Sequence, residues 1–181
     1  MIIGILKERK NPPDKRVVFS PEKLQELKRK FPSVSIKIES SDIRVFSDLD
    51  YKNAGFEVVN DLSDCQILLG VKEVPLDELL PNKKYFFFSH TIKKQPYNRN
   101  LLKAILAKNI QLYDHETIVN ENGARLIGFG RYAGIVGAYN GIRAIGLKQK
   151  TFDLPKAESL PNQQSLISEL QKITLPNIKI L

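Results

Sequence analysis

Ile67-Leu68-Leu69-Gly70-Val71, followed at once by Lys72-Glu73, is a short apolar run without alternation. Such a run, bounded by charge, reads as a strand buried on both faces, the kind found inside a parallel sheet. Two more runs repeat it: Ile2 to Leu6, and Tyr85-Phe86-Phe87-Phe88. Val34 to Ile38 adds a strand in which Val, Ile and Ile alternate with polar residues.

Helical patterns lie between these runs. Ser20-Pro21-Glu22 supplies an N-cap with Pro at the first helical position. Leu24, Leu27 and Phe31 then follow at helical spacing as far as Pro32. Phe46 to Ala54 predicts a short helix ended by Gly55, with Glu57 to Val59 a short strand after it. Asn98 to Lys108 predicts a helix with Leu101, Leu102, Ile105 and Leu106 on its inner face, and Ile110 to Tyr113 the next strand. The alternation predicts an α/β fold, a parallel flavodoxin- or Rossmann-like sheet covered by helices.

Further on, Thr117 to Val119 and Ala124 to Phe129 flank Asn120-Glu121-Asn122-Gly123, whose Asn-Gly is a turn signal. Tyr132 to Gln149 is a long helix carrying Gly134, Gly137, Gly141 and Gly146. Each glycine weakens a helix by up to about 1 kcal/mol, so close packing on a neighbouring helix or chain is expected. A homo-oligomer joined through Gly134, Gly137 and Gly141 is one such arrangement. Thr151 to Asn162 reads as a linker, Gln163 to Ile173 as a helix, and Asn177 to Leu181 as a new buried strand. The expected organisation is a domain over 1–148, a linker and helix over 149–176, and the first strand of another domain over 177–181.

Composition narrows the function. The 181 residues carry 28 Lys+Arg against 20 Asp+Glu, a net charge of +8. The basic residues are scattered, without aromatic interleaving, so a solvated basic surface is expected rather than nucleic-acid binding. The one cysteine, Cys65, excludes an internal disulfide framework. No run approaches the roughly 18–20 apolar residues that span a bilayer. The apolar opening precedes Lys7, Glu8 and Arg9, the reverse of a secretory signal, so a cytoplasmic setting is expected.

Two constellations invite a chemical reading. Gly128-Phe129-Gly130-Arg131-Tyr132-Ala133 fits the dinucleotide fingerprint, yet the following helix runs into Gln149 to Pro155 instead of a second strand ending in an acid. A strand-to-helix turn is the better account. Arg16, Lys72 and His90 each stand at or beyond the end of an apolar run, where loops above a parallel sheet line a crevice. Together they offer two proton-transfer groups beside an anion-binding guanidinium. His115 in Asp114-His115-Glu116 lies far from His90 in sequence, and no metal site is expected.

Lys72-Glu73 after Gly70-Val71, and Phe88-Ser89-His90-Thr91-Ile92-Lys93-Lys94-Gln95, resemble the lysine–ketoglutarate reductase and saccharopine dehydrogenase group. Tyr113-Asp114-His115-Glu116 and the segment from Asn122 through Arg125 to Gly134 extend the resemblance. Gly4 to Glu8, with Lys15 to Pro21, is similar to the wider alanine dehydrogenase and transhydrogenase superfamily. The resemblance covers about residues 1–148. It implies a two-domain NAD(P)-dependent amino-acid dehydrogenase, acting on CH–NH donors, whose substrate domain comes first. The reaction implied is reductive condensation of an amino acid such as lysine with a 2-oxo acid, or its reverse. Alanine dehydrogenase-like deamination is the alternative, as is a non-catalytic small-molecule-binding module.

The cofactor domain would start at the Ile178 strand with its glycine fingerprint beyond Leu181, so this chain alone is expected to be inactive and to bind NAD or NADP only weakly. The resemblance gives acid–base roles to Lys72 and His90, and a substrate carboxylate to Arg16. It places Glu73, Lys93, Glu116 and Arg125 around the substrate. Joining an amine to a 2-oxo acid requires the amine to lose a proton and a carbinolamine to lose water, work for a paired acid and base.

Overall fold

A computed structural model describes residues Met1–Leu175; the strand expected over Asn177–Leu181 lies outside the described residues. The chain divides into two compact units, Met1–Gly128 and Phe129–Leu181. The long glycine-bearing helix groups with the second unit, so the break by contacts falls earlier than the boundary at 148 read from the sequence.

The first unit is built on six parallel strands: β1 (Ile2–Ile5), β2 (Ser35–Glu39), β3 (Glu57–Val59), β4 (Ile67–Lys72), β5 (Lys84–Phe88) and β6 (Gln111–Asp114). Their order is β3-β2-β1-β4-β5-β6, the doubly wound arrangement with its switch point between β1 and β4. Helices α1 (Pro21–Lys30), α2 (Asp48–Asn53) and α3 (Arg99–Ala107) connect and cover them. The fold class read from the apolar runs is the one observed.

Local chemistry sets the helix starts. Ser20 caps α1 by accepting from Lys23 N at 3.3 Å, and Ser47 and Asp50 form a capping box at α2. Strand alternation then divides the core between the two faces. Leu24, Ile5, Ile36, Ile38, Tyr51 and Phe56 fill one, under α1 and α2. Leu68, Leu79, Tyr85, Phe87, Leu101 and Ile105 fill the other, under α3. Of the four residues expected on the inner face of α3, Leu101 and Ile105 are buried, whereas Leu102 and Leu106 are exposed. An apolar stripe wider than the sheet's contact surface leaves its margins in solvent.

Gly4 in β1 is demanded by packing, since a Cβ there would lie 2.8 Å from Leu68 Cδ2 and 3.1 Å from Cys65 Sγ. Cys65 itself is fully buried, and burial pushes its thiol up to about 11, so it serves as a small apolar residue.

The second unit holds α4 (Gly130–Gln149), a 3₁₀ turn (Ala157–Ser159) and α5 (Gln163–Leu170). Tyr139, Leu154 and Leu166 form its core, so the 151–162 segment is a packed return and not a bare linker. Tyr139 Oη donates to Pro155 O at 2.9 Å and Arg143 Nε donates to Leu154 O at 2.8 Å, pinning that return to the helix. Of the four helical glycines, Gly146 has the close neighbour: a Cβ there would lie 2.4 Å from the Phe152 ring. At Gly134, Gly137 and Gly141 an added Cβ would meet nothing within 4 Å, so the packing partner expected for that stripe is not found among the described residues.

The segments around Asn120-Glu121-Asn122-Gly123 do not become full strands. One antiparallel bridge, Val119 to Arg125, closes the turn, and Asn120 Oδ1 accepts from Ala124 N at 2.9 Å. The apolar stretch before the Gly128–Ala133 fingerprint is therefore not a strand of the sheet, and α4 simply begins at Gly130.

Candidate functional site

Every sequence-derived site residue of the first unit lies at or beyond the carboxyl ends of the strands. Lys72 ends β4, His90 follows β5 and Glu116 follows β6. Loops at this edge of a doubly wound sheet form the ligand crevice.

His90 sits at φ 56°, in the left-handed region, and begins a 3₁₀ turn over Thr91–Lys93. Non-glycine residues persist there only when their surroundings hold them. Ser89 supplies the hold: fully buried, it bonds to Asp114, and its Oγ accepts from Thr91 N at 3.1 Å. Asn98 Nδ2 donates to the His90 carbonyl at 3.1 Å from the far end of the loop.

The centre of the cluster is Glu116, whose side chain is 2% exposed. Its Oε2 lies 2.8 Å from His90 Nδ1, and its Oε1 lies 3.1 Å from Lys93 Nζ and 3.2 Å from Arg125 Nη1. Burial alone would raise its pKa, but the hydrogen bonds from His90 and Lys93 prevail and hold the carboxyl below the usual range. Asp114 Oδ1 accepts from Glu116 N at 2.8 Å, which fixes the backbone beneath it. Lys93 Nζ also lies 3.0 Å from His90 Nδ1. The Glu116 carboxylate can only accept, so the Nδ1–H tautomer is the one that bonds to it, and that tautomer leaves the Nε2 lone pair free to take a proton.

Lys72 belongs to a second cluster joined to the first through Phe88. The Lys72 ammonium lies 5.8 Å from the centre of the Phe88 ring, and the His90 ring centre lies 6.4 Å from it. Around Lys72 stand Glu8, Asp14 and Arg16. Glu8 is buried and accepts from Val71 N at 2.7 Å and Lys72 N at 2.9 Å. Its burial raises its pKa against the pull of those two bonds. Arg16 Nε donates to Asp14 Oδ1 at 2.8 Å, a bond that raises the guanidinium's pKa and lowers the carboxyl's.

Glu73 goes elsewhere. It pairs with Lys10 at 2.9 Å and lines a groove of about 350 Å³ with Arg9, Val74 and Tyr97. Among the residues that sequence reasoning passed over, Glu8 is the most telling. It follows the end of β1 as Lys72 ends β4, so its position past a buried strand was the available signal.

A dinucleotide does not fit this sheet. Its pyrophosphate would sit at the switch point beyond β1, on a glycine-rich turn opening a helix. Here the buried Glu8 carboxylate occupies that position, and the chain takes until Pro21 to begin α1. Among the described residues no group of three or more His, Cys, Asp and Glu is placed to hold a metal ion, and no helix is long and apolar enough to cross a membrane.

Comparison with known proteins places these features. The family model described as "Alanine dehydrogenase/PNT, N-terminal domain" matches residues 4–136. An Arabidopsis thaliana alpha-aminoadipic semialdehyde synthase is 36% identical over 152 residues, covering 82% of this chain and 14% of that protein. A Yarrowia lipolytica saccharopine dehydrogenase [NAD(+), L-lysine-forming] is 29% identical over 143 residues, covering 75% of this chain and 39% of its own length. The chain thus spans only a minor part of the relatives it matches. In structure, an L-alanine dehydrogenase superposes with a TM-score of 0.66 at 23% identity, over 83% of this chain and 42% of that one. With its parallel doubly wound sheet and its matched segment from Gly4 to Val136, this chain belongs to the alanine dehydrogenase/PNT N-terminal domain family.

Proposed function

We propose that this chain is the substrate domain of an NAD(P)-dependent amino-acid dehydrogenase of saccharopine type, joining an amino acid such as lysine to a 2-oxo acid or reversing that step. The observation that carries the reading is the His90–Glu116 pair, with the His90 ring and the Lys72 ammonium both next to the Phe88 ring. The curated relatives with saccharopine chemistry in their names support it.

In this reading the chain supplies binding and proton transfer. His90 Nε2 takes the proton from the attacking ammonium, and Glu116 steadies the imidazolium that forms. Lys72 donates to the departing hydroxyl of the carbinolamine. Arg16, Lys93 and Arg125 receive substrate carboxylates at the rim, each already near an acid that shares its charge. The hydride belongs to a nicotinamide held by a separate cofactor domain, which we place after the residues described.

The test is an assay of the protein together with its cofactor domain. NAD(P)H oxidation that needs both lysine and 2-oxoglutarate is the expected result. Oxidation with pyruvate and ammonia instead would establish the alanine-type reaction, and no oxidation with either pair would leave a binding module.

A further inference from the structure

Strand β4 contains one residue more than its partner near its end. Leu69 pairs with Phe86 and Lys72 with Phe88, so three steps along β4 face two along β5. This register shift has the extra-residue count of a β-bulge, and such a shift re-aims the side chain that follows it. The residue that follows here is Lys72.

A bulge releases backbone groups from the ladder, and buried groups need other partners. Strand β1 has also ended by this point, its last paired residue being Ile5 opposite Leu69. The freed groups are taken by two side chains. Glu8 accepts from both Val71 N and Lys72 N, at 2.7 and 2.9 Å. His115 Nε2, from the turn after β6, lies 3.1 Å from the Gly70 carbonyl. A carbonyl only accepts, so Nε2 carries the proton. Among the described residues His115 Nδ1 is buried with no hydrogen-bond partner, so a second proton there would be an uncompensated charge and the ring stays neutral. Burial lowers the pKa of His115, in agreement with that state. The ring is further held edge-on to Phe88, with centres 5.1 Å apart.

We propose that Glu8 and His115 are positioning residues that brace the Gly70–Val71 bulge from both sides and so set the direction of Lys72. Neither needs to touch substrate. Glu8 acts through consecutive amides of the strand end, and His115 through the carbonyl just before them. The functional half of the inference rests on Lys72 being a proton-transfer group. The brace itself does not.

The test has two arms. In this chain, amide NMR of Val71 and Lys72 reads the brace directly. Glu8→Gln, which keeps the shape but loses one acceptor oxygen, should move both amide signals upfield and speed their hydrogen exchange by roughly ten-fold or more. In the protein with its cofactor domain, Glu8→Gln should lower kcat by about 10–100-fold while KM stays within about three-fold, the mark of a mis-aimed group rather than lost binding. His115→Leu should do the same, and His115→Gln, whose amide can still donate to Gly70, should restore most of the loss. Unchanged Val71 and Lys72 amides in Glu8→Gln would overturn the brace, and a kcat within two-fold of wild type would overturn its role in aiming Lys72. A wild-type protein without dehydrogenase activity would sink the proposed function alone, because the amide readout still decides the brace.

Discussion

Glu116 Oε2 lies 2.8 Å from His90 Nδ1, although 26 residues separate them and they follow different strands. The pairing arises because β5 and β6 are parallel neighbours in register, Phe87 opposite Asp114, so the residues just beyond both strand ends meet. The same carboxylate faces Lys93 and Arg125, and a single buried negative charge thereby gathers an imidazole and two cationic side chains at one edge of the sheet.

Acid should weaken the fold through such carboxylates. Glu116 and Asp48 are both held below their ordinary values of 4.5 and 3.8; burial opposes the shift at each, and hydrogen bonds from their partners outweigh it. A depressed carboxyl pKa contributes stability above the unfolded value that is lost as pH falls through the folded one. Glu8 has the opposite sign: raised above 4.5 by burial, it contributes stability below that value, lost as pH rises through its folded pKa. Denaturation midpoints measured from about pH 3 to 7 should therefore show Glu116→Gln flattening the acid limb below 4.5 and Glu8→Gln flattening the slope above it.

Under the proposed function, Lys72→Met and His90→Gln should each lower turnover by roughly 10²–10⁴-fold in the protein assayed with the proposed cofactor domain, with folding intact by circular dichroism. The pH–rate profile should lose one limb in each variant. Near-normal rates in both would reduce Lys72 to a strand-end cation over Phe88 and His90 to a loop residue held by Glu116.

Arg16 and Arg125 should show up in binding instead. Both are partly exposed and share charge with Asp14 and Glu116, so the loss per arginine is expected near 1 kcal/mol, about a five-fold rise in KM. Arg16→Ala and Arg125→Ala titrated with each substrate would check this. A fall in kcat at constant KM would assign them to the chemical step.

The helical glycines should separate in a stability measurement. Gly146→Ala puts a methyl group against the Phe152 ring and carbonyl, and should destabilise the second unit by about 1–3 kcal/mol. At Gly137 an added methyl meets nothing within 4 Å among the described residues, so Gly137→Ala should stabilise α4 by up to about 1 kcal/mol. Light scattering on Gly137→Ala adds the decisive control, since a changed association state would place the Gly134, Gly137 and Gly141 stripe at a contact between copies.

Apolar runs of four or five residues between helical patterns sufficed to foretell the parallel sheet, because burial on both faces leaves no polar alternation to misread. Position past a strand end likewise foretold that Lys72 and His90 stand at the carboxyl edge of the sheet, where the loops of a doubly wound fold converge. Tertiary structure alone decided which side chains meet. It drew Glu116 beneath His90, sent Glu73 to Lys10, and set Glu8 and His115 on either side of a bulge that no local pattern announces. It also decided which helical glycine was needed, finding the close approach at Gly146 and, among the described residues, no neighbour at the three before it. The difference has one physical cause. Burial and periodicity are written along the chain, whereas hydrogen-bond partners depend on register between strands far apart in sequence, and one extra residue in β4 is enough to change them.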